Sequence, residues 1–174
     1  MQGQKGFTLL ELIVVTLIIG LMIGVINLSS GLNRQHDVQE EIERLAALID
    51  LAAQESIFKS TEIALEFEES SYRFLTLIEN EWQPIEADRI LRQRQLPAGL
   101  EIELFVEGER QEIFSIETKD SEKKDIPPRI FLLSSGEITP FEVSLKGADG
   151  DTLYTLIGRI NGELEIEKTE AKPS

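Results

Sequence analysis

The chain has 174 residues, which is about one domain, and contains 17 basic and 32 acidic residues, for a formal net charge of −15 and a pI near 4.5. This charge excludes a nucleic-acid-binding protein that relies on a basic surface. The absence of cysteine excludes disulfides, thiol catalysis and iron–sulfur clusters.

The first predicted element is an apolar helix over residues 7–28, and it contains 22 residues. At 1.5 Å per residue this helix is about 33 Å long, which is enough to cross the apolar part of a bilayer. Lys5 is the only charged residue before it, so the positive-inside tendency keeps the N-terminus in the cytoplasm. The apolar run is longer than a secretory signal core, and no small-x-small cleavage site follows it. We therefore expect a transmembrane anchor with the acidic remainder on the opposite side.

Glu11 is the unusual residue of this anchor, because it places a carboxylate five residues into the apolar run. An acidic residue near the centre of a membrane helix costs about 2.5 to 3.5 kcal/mol, and less toward its end. We therefore expect another group to compensate the charge of Glu11.

Residues 5–11, KGFTLLE, resemble the prepilin processing motif of type IV pilins and type II secretion pseudopilins. The resemblance implies that a prepilin peptidase removes a leader of residues 1–6 by cutting after Gly6, and methylates the new N-terminal Phe7. It also implies that Glu11 pairs with the N-terminal amine of a neighbouring subunit during assembly. An uncleaved anchor with a glutamate near its interface is the alternative.

Residues 29–58 are predicted to form an amphipathic stalk helix. Apolar residues recur there at steps of four and three, at Val38, Ile42, Leu45, Ile49 and Ala52. We expect this stripe to pack on the following domain, with the charged residues Glu40, Glu41, Glu43, Arg44 and Asp50 on other faces. A separate helix that is broken at Gly31 remains an alternative.

The apolar period changes to two after residue 60, which predicts an antiparallel β domain over residues 59–167. The alternating groups are Ile63, Leu65 and Phe67, then Tyr72 and Phe74, then Leu100, Ile102 and Leu104, then Phe114 and Ile116. Turns are predicted at residues 97–99 and 107–109, a mobile loop at 119–125, and a hairpin at Asn161-Gly162. The polar residues 168–174 are predicted to be a flexible tail.

Residues 128–143, PRIFLLSSGEITPFEV, resemble the strand–turn–strand segment of the minor pseudopilin H family of the general secretion pathway. The likeness centres on Gly136, Thr139, Pro140 and Phe141. Glycine permits a turn with positive φ, Pro140 restricts the chain to a strand edge or bulge, and Phe141 can fill the core. A hairpin of an unrelated β domain is the alternative, and residues 60–127 resemble no family that we can name.

The sequence offers little catalytic chemistry. His36 is the only histidine and lies beside Asp37 on the predicted stalk. Asp149-Gly150-Asp151 lacks the remaining ligands of a calcium loop and is more typical of a turn. We therefore predict a protein that is not an enzyme and has no cofactor and no metal site.

The two resemblances together imply a pilin-like α+β fold, with a long N-terminal helix packed on an antiparallel sheet domain. They imply a minor pseudopilin of the type II secretion system, at or near the tip of a short periplasmic pseudopilus that moves folded proteins across the outer membrane. The chain would be a single-pass protein of the bacterial inner membrane with its C-terminal domain in the periplasm. The implied partners are the prepilin peptidase, the inner-membrane secretion platform, the major pseudopilin and the other minor pseudopilins, and no nucleic acid.

Two rival functions remain open at this point. The nearer rival is a minor pilin of a type IV pilus, in assembly or DNA uptake, although the net charge of −15 disfavours unaided DNA binding. The other is a periplasmic enzyme or receptor with one membrane anchor, for which the sequence offers no site.

Overall fold

The computed structural model describes residues 9–86, 88–113, 127–147 and 152–170, with the backbone alone for residues 10, 20–37, 152 and 170. It forms two units, Met1–His36 and Asp37–Ser174. The elements in chain order are α1 Leu9–Lys59, β1 Ile63–Glu68, β2 Ser71–Ile78, β3 Glu81–Pro84, β4 Arg94–Gln95, β5 Glu101–Val106, β6 Glu109–Gln111, β7 Arg129–Leu132, β8 Phe141–Lys146, β9 Thr152–Gly158 and β10 Leu164–Glu170.

The part of α1 in the first unit exposes apolar side chains in every direction. Eight of them are 44–79% exposed: Leu9, Leu12, Ile13, Val14, Val15, Leu17, Ile18 and Ile19. Successive residues are rotated by about 100° about the helix axis, so these side chains point to all sides of the helix and leave no polar face. Among the residues that the structure describes, no helix meets both the length and the apolar character needed to span a membrane.

The part of α1 in the second unit buries the predicted stripe. Val38, Ile42, Leu45, Ile49 and Ala52 are each at most 1% exposed. The helix ends at Lys59, one residue beyond the expected end at Phe58, and its backbone is helical through residues 27–33. The described backbone therefore has no break at Gly31. A single glycine costs a helix only about 1 kcal/mol, so a long helix can contain one.

The sequence placed Glu41 away from the packed face of the helix, and this prediction is wrong. Glu41 is buried, with 2% exposure. The hydroxyl of Tyr72 donates to its Oε1 at 2.9 Å, and the Arg44 guanidinium pairs with its Oε2. These two donors compensate the loss of water around the carboxylate. One charged residue is therefore buried beside the stripe, and helical spacing could not distinguish it from the exposed glutamates next to it.

The second unit contains two antiparallel sheets. In sheet A the strand order is β3-β2-β1-β7, with β4 beside β2, and in sheet B it is β10-β9-β8-β5-β6. Their inner faces share one hydrophobic core with α1, to which β1 gives Phe67, β5 gives Leu104 and β8 gives Val143. The fold is α+β, as predicted, and strands occupy the alternating segments at residues 63–67 and 72–74 and, from Glu101 onward, the segment at 100–104.

Turn geometry follows the local sequence. Glu107 and Gly108 both have positive φ, of 53° and 82°, and form the two-residue turn between β5 and β6. At the predicted hairpin only Gly162 has positive φ, of 86°, and Arg159 N donates to Glu163 O at 2.9 Å. The hairpin prediction is thus confirmed, with three residues in its loop rather than two.

Strand β10 extends to Glu170, so residues 168–170 belong to the sheet rather than to the predicted tail. They pair with the start of β9, and the Lys168 ammonium lies 5.9 Å from the centre of the Tyr154 ring. The predicted strand at Phe114 and Ile116, the loop at 119–125 and the Asp149–Asp151 turn lie outside the described residues.

Candidate functional site

The predicted processing residues Gly6 and Phe7 lie outside the described residues, whereas Glu11 is described. It lies near the start of the described part of α1, and its side chain is exposed.

Glu11 is the only charged residue of the segment 9–19, which is otherwise apolar apart from Thr16. The Thr16 hydroxyl donates to the carbonyls of Leu12 and Ile13, both at 3.0 Å. This polar group is thus satisfied inside the helix and needs no partner from outside it. The segment therefore presents one carboxylate on a surface of apolar side chains.

The part of α1 in the second unit is held to the rest of that unit by side-chain hydrogen bonds near both of its ends. Near the beginning, Tyr72 of sheet A donates to Glu41, and Tyr154 of sheet B donates to Gln39 Oε1 at 3.2 Å. Near the end, the fully buried Ser56 donates to Leu133 O at 3.2 Å. Burial, and then the negative charge of Glu41, raise the pKa of Tyr72 well above its usual value near 10, so this hydroxyl stays a donor.

The segment from Gly136 to Phe141 connects the two sheets. Gly136 has a φ of 91°, which confirms the predicted positive-φ turn. Thr139 N donates to Phe131 O at 2.9 Å, and Phe131 N donates to the Thr139 hydroxyl at 3.2 Å. Pro140 precedes β8, and Phe141 is 3% exposed in the core, as expected. The residues that carry the family resemblance therefore serve to join the sheets.

Sequence reasoning missed a buried ionic group on the outer face of sheet A. Glu66 is fully buried, although glutamate is almost never fully buried in a protein unless it is paired. Its register partners are Arg73 on β2 and Arg129 on β7, whose Nε atoms donate to its two oxygens at 2.8 and 2.7 Å. Only the strand order reveals this group, because the two arginines lie 7 and 63 residues away in the chain.

The first residues match a known family. Residues 1–27 correspond to the prokaryotic N-terminal methylation motif. The chain is also similar to the type II secretion system protein H of Pseudomonas aeruginosa, with 32% identity over 88% of this chain and 90% of that protein. The protein of the same name from Aeromonas hydrophila is 29% identical over 87% of this chain and 85% of its own.

The fold is similar to a solved one. The crystal structure of the minor pseudopilin EpsH from the type II secretion system of Vibrio cholerae superposes with a TM-score of 0.63 at 23% sequence identity. The match covers 76% of this chain and 97% of that one. The likeness shows that the pilin-like α+β fold of this chain is shared with another protein.

Proposed function

Since this chain belongs to the type II secretion system protein H family of minor pseudopilins, we propose that it is a structural subunit at or near the tip of a short periplasmic pseudopilus. In that position it helps the filament to push folded proteins through the outer membrane. The observation that carries the proposal is the surface of α1 around Glu11, where one carboxylate lies among eight exposed apolar side chains. Such a surface requires lipid or other helices around it.

The proposal includes the processing of the N-terminus. A membrane prepilin peptidase cuts between Gly6 and Phe7 and methylates the new amine, which removes residues 1–6. Glycine before the cut places no side chain in the peptidase site. The match of residues 1–27 to the methylation motif supports this step.

Glu11 acts as the docking group. In the inner membrane its carboxylate is costly, and pairing with the cationic amine of Phe7 on a neighbouring subunit removes that cost. The apolar residues on all sides of the same helix are compatible both with lipid before assembly and with the helices of other subunits after it. Residues 7–28 thus serve as the membrane anchor first and as the polymerisation helix later.

The remaining assignments follow from this role. The β domain lies in the periplasm, and the chain is a single-pass protein of the inner membrane. Its partners are the major pseudopilin, the other minor pseudopilins and the inner-membrane secretion platform. The net charge of −15 supports protein partners rather than nucleic acid.

The substitution Glu11→Leu tests the proposal. It removes a burial cost of up to about 3 kcal/mol, so the chain should stay in the membrane fraction while secretion falls when this is the only copy. Leu12→Ile is the matched control, because it keeps both the apolar surface and the charge. Fractionation and a secretion assay measure the two effects. Normal secretion by Glu11→Leu would refute the docking role.

Processing has its own test. Gly6→Val should leave a precursor six residues longer than the mature chain, which mass spectrometry of the membrane fraction can resolve. If the unsubstituted protein, isolated from cells with the peptidase, still begins at Met1, the processing proposal is wrong.

A further inference from the structure

The last strand of sheet B presents an open edge. In the described ranges β10 pairs with β9 alone, and it is a continuous strand of seven residues without proline. An open edge exposes backbone N–H and C=O groups that can pair with another strand.

The other sheet edges are shorter or occupied. Strand β3 has four residues and ends in Pro84, and β6 has three residues. The outer edge of β7 is occupied because Thr139 N donates to Phe131 O and Leu132 bridges to Ile138. Proteins commonly protect sheet edges by these means, and β10 uses neither a short length nor a proline. Its protective charge is Lys168, which lies toward the end of the strand with its ammonium 5.9 Å from the centre of the Tyr154 ring.

The hairpin register shows which backbone groups of β10 face outward. Arg159 N donates to Glu163 O, so Arg159 and Glu163 form a hydrogen-bonded pair. Such pairs alternate along an antiparallel ladder, which turns the backbone groups of Leu164 and Ile166 away from β9. Ile166 is also 39% exposed, although its β9 partner Leu156 is fully buried. A strand added here would cover both the backbone and this side chain.

The charges beside this edge select the occupant. Glu165 and Glu167 project from the outer face of β10, and Glu163 lies in the adjoining turn. Arg159 pairs with Glu165 at 2.9 Å, so three carboxylates face one guanidinium. A second copy is a poor partner, because antiparallel pairing centred on Ile166 sets Glu165 opposite Glu167 on both sides, and like charges in direct opposition destabilise a sheet.

We propose that the β10 edge binds an extended strand of another protein in which basic and apolar residues alternate. Its backbone pairs with Leu164 and Ile166, its basic side chains lie beside Glu165 and Glu167, and its apolar side chains cover Ile166. This surface is separate from α1, so the proposal goes beyond the helix-mediated assembly proposed above.

A labelled seven-residue peptide of alternating lysine and valine tests the proposal. It is added to the full chain in a non-ionic detergent at 0.15 M salt, and binding is followed by fluorescence anisotropy. A peptide of the same composition with its lysines grouped at one end is the control, and it should bind about tenfold more weakly, because grouped charges cannot meet alternate glutamates. Amide hydrogen exchange at Ile166 should slow when the alternating peptide binds.

Two variants locate the binding. Ile166→Pro removes an outward N–H without removing a bond to β9, and should weaken binding by about tenfold or more. Glu167→Lys should weaken binding comparably, whereas Glu101→Lys, an exposed glutamate of β5 in the same sheet, should not. Circular dichroism confirms that each variant is folded. Equal binding of the two peptides, unchanged exchange at Ile166, or a dimer that Glu167→Lys alters in the absence of peptide would overturn the proposal.

Discussion

Gly158 has a specific role at the scale of single residues, because the ring of Phe141 fills the space next to its Cα. A Cβ at position 158 would lie 2.0 Å from Phe141 Cε1. We expect Gly158→Ala to lower the free energy of unfolding by about 1 to 3 kcal/mol, since overpacking forces the ring or the strand to move. Urea unfolding followed by circular dichroism measures this change.

The double variant Gly158→Ala, Phe141→Leu is the control for this clash. The smaller and more flexible leucine makes room for the new methyl group, so the two substitutions together should cost less than the sum of their separate effects. Additive costs would show that the ring and residue 158 do not interact.

The environment of Tyr72 should make the stability of the protein depend on pH in the alkaline range. Burial and Glu41 raise the pKa of its hydroxyl above the value near 10 expected in the unfolded chain. Below about pH 10 the Tyr72 hydroxyl keeps its proton in both the folded and the unfolded state, so its contribution to stability is fully present. Above that pH the unfolded state loses a proton that the folded state keeps, so stability falls by up to about 1.4 kcal/mol per pH unit.

Tyr72→Phe should therefore flatten the fall in stability above pH 10, in unfolding curves measured at several pH values. Tyr154→Phe is the matched control, because it removes the other tyrosine of the chain, whose hydroxyl contacts Gln39 rather than a carboxylate. An equal alkaline slope in Tyr72→Phe and the unsubstituted protein would contradict the assignment.

At the scale of elements, α1 distinguishes two alanines five residues apart. Ala52 is fully buried against the core, while Ala47 is exposed on the same helix. Ala52→Leu should destabilise the protein by about 1 to 3 kcal/mol, because no space exists for the larger side chain. Ala47→Leu should change stability by less than about 0.5 kcal/mol. Thermal unfolding of both variants tests this, and equal midpoints would show that the helix does not pack closely at residue 52.

The sequence predicted the elements whose burial follows a local period. The apolar period of the α1 stripe, from Val38 to Ala52, is visible within that helix alone. The same is true of the alternating strands β1, β2 and β5, so periodicity was sufficient to predict them. Strand β3 was missed because it is short and three of its four residues are exposed, although Glu79 and Asn80, with φ of 49° and 66°, form the turn before it. An asparagine in that turn was the available signal.

Burial of charge could not be predicted in the same way. Glu41 and Glu66 look like other glutamates in the sequence, and the burial of each is compensated in part by a donor on an element distant in the chain. Tyr72 lies 31 residues from Glu41, and Arg129 lies 63 residues from Glu66. The Gly136 to Phe141 segment could be predicted, because the glycine, the proline and the phenylalanine each constrain the backbone or the core locally.

At the scale of the whole molecule, the second unit begins at Asp37, just before the first buried residue of the stripe. A shortened chain that begins at Arg34 lacks the apolar segment 7–28 but keeps every residue that covers the core. We expect it to be soluble without detergent and to unfold in one cooperative transition. Light scattering and calorimetry check this, and aggregation at low concentration would show that residues before Arg34 protect an apolar surface of the second unit.

The pairing of β1 with β7, and of β5 with β8, has a consequence for biogenesis. The ribosome completes the stripe at Ala52, whereas the core that covers it includes Leu156 of β9. The 104 residues between these two positions take roughly 5 to 20 s at an elongation rate of about 5–20 residues per second. Throughout that interval part of the apolar face of the helix lacks its cover. An arrest of synthesis before β9 therefore leaves an incomplete chain that proteases can degrade.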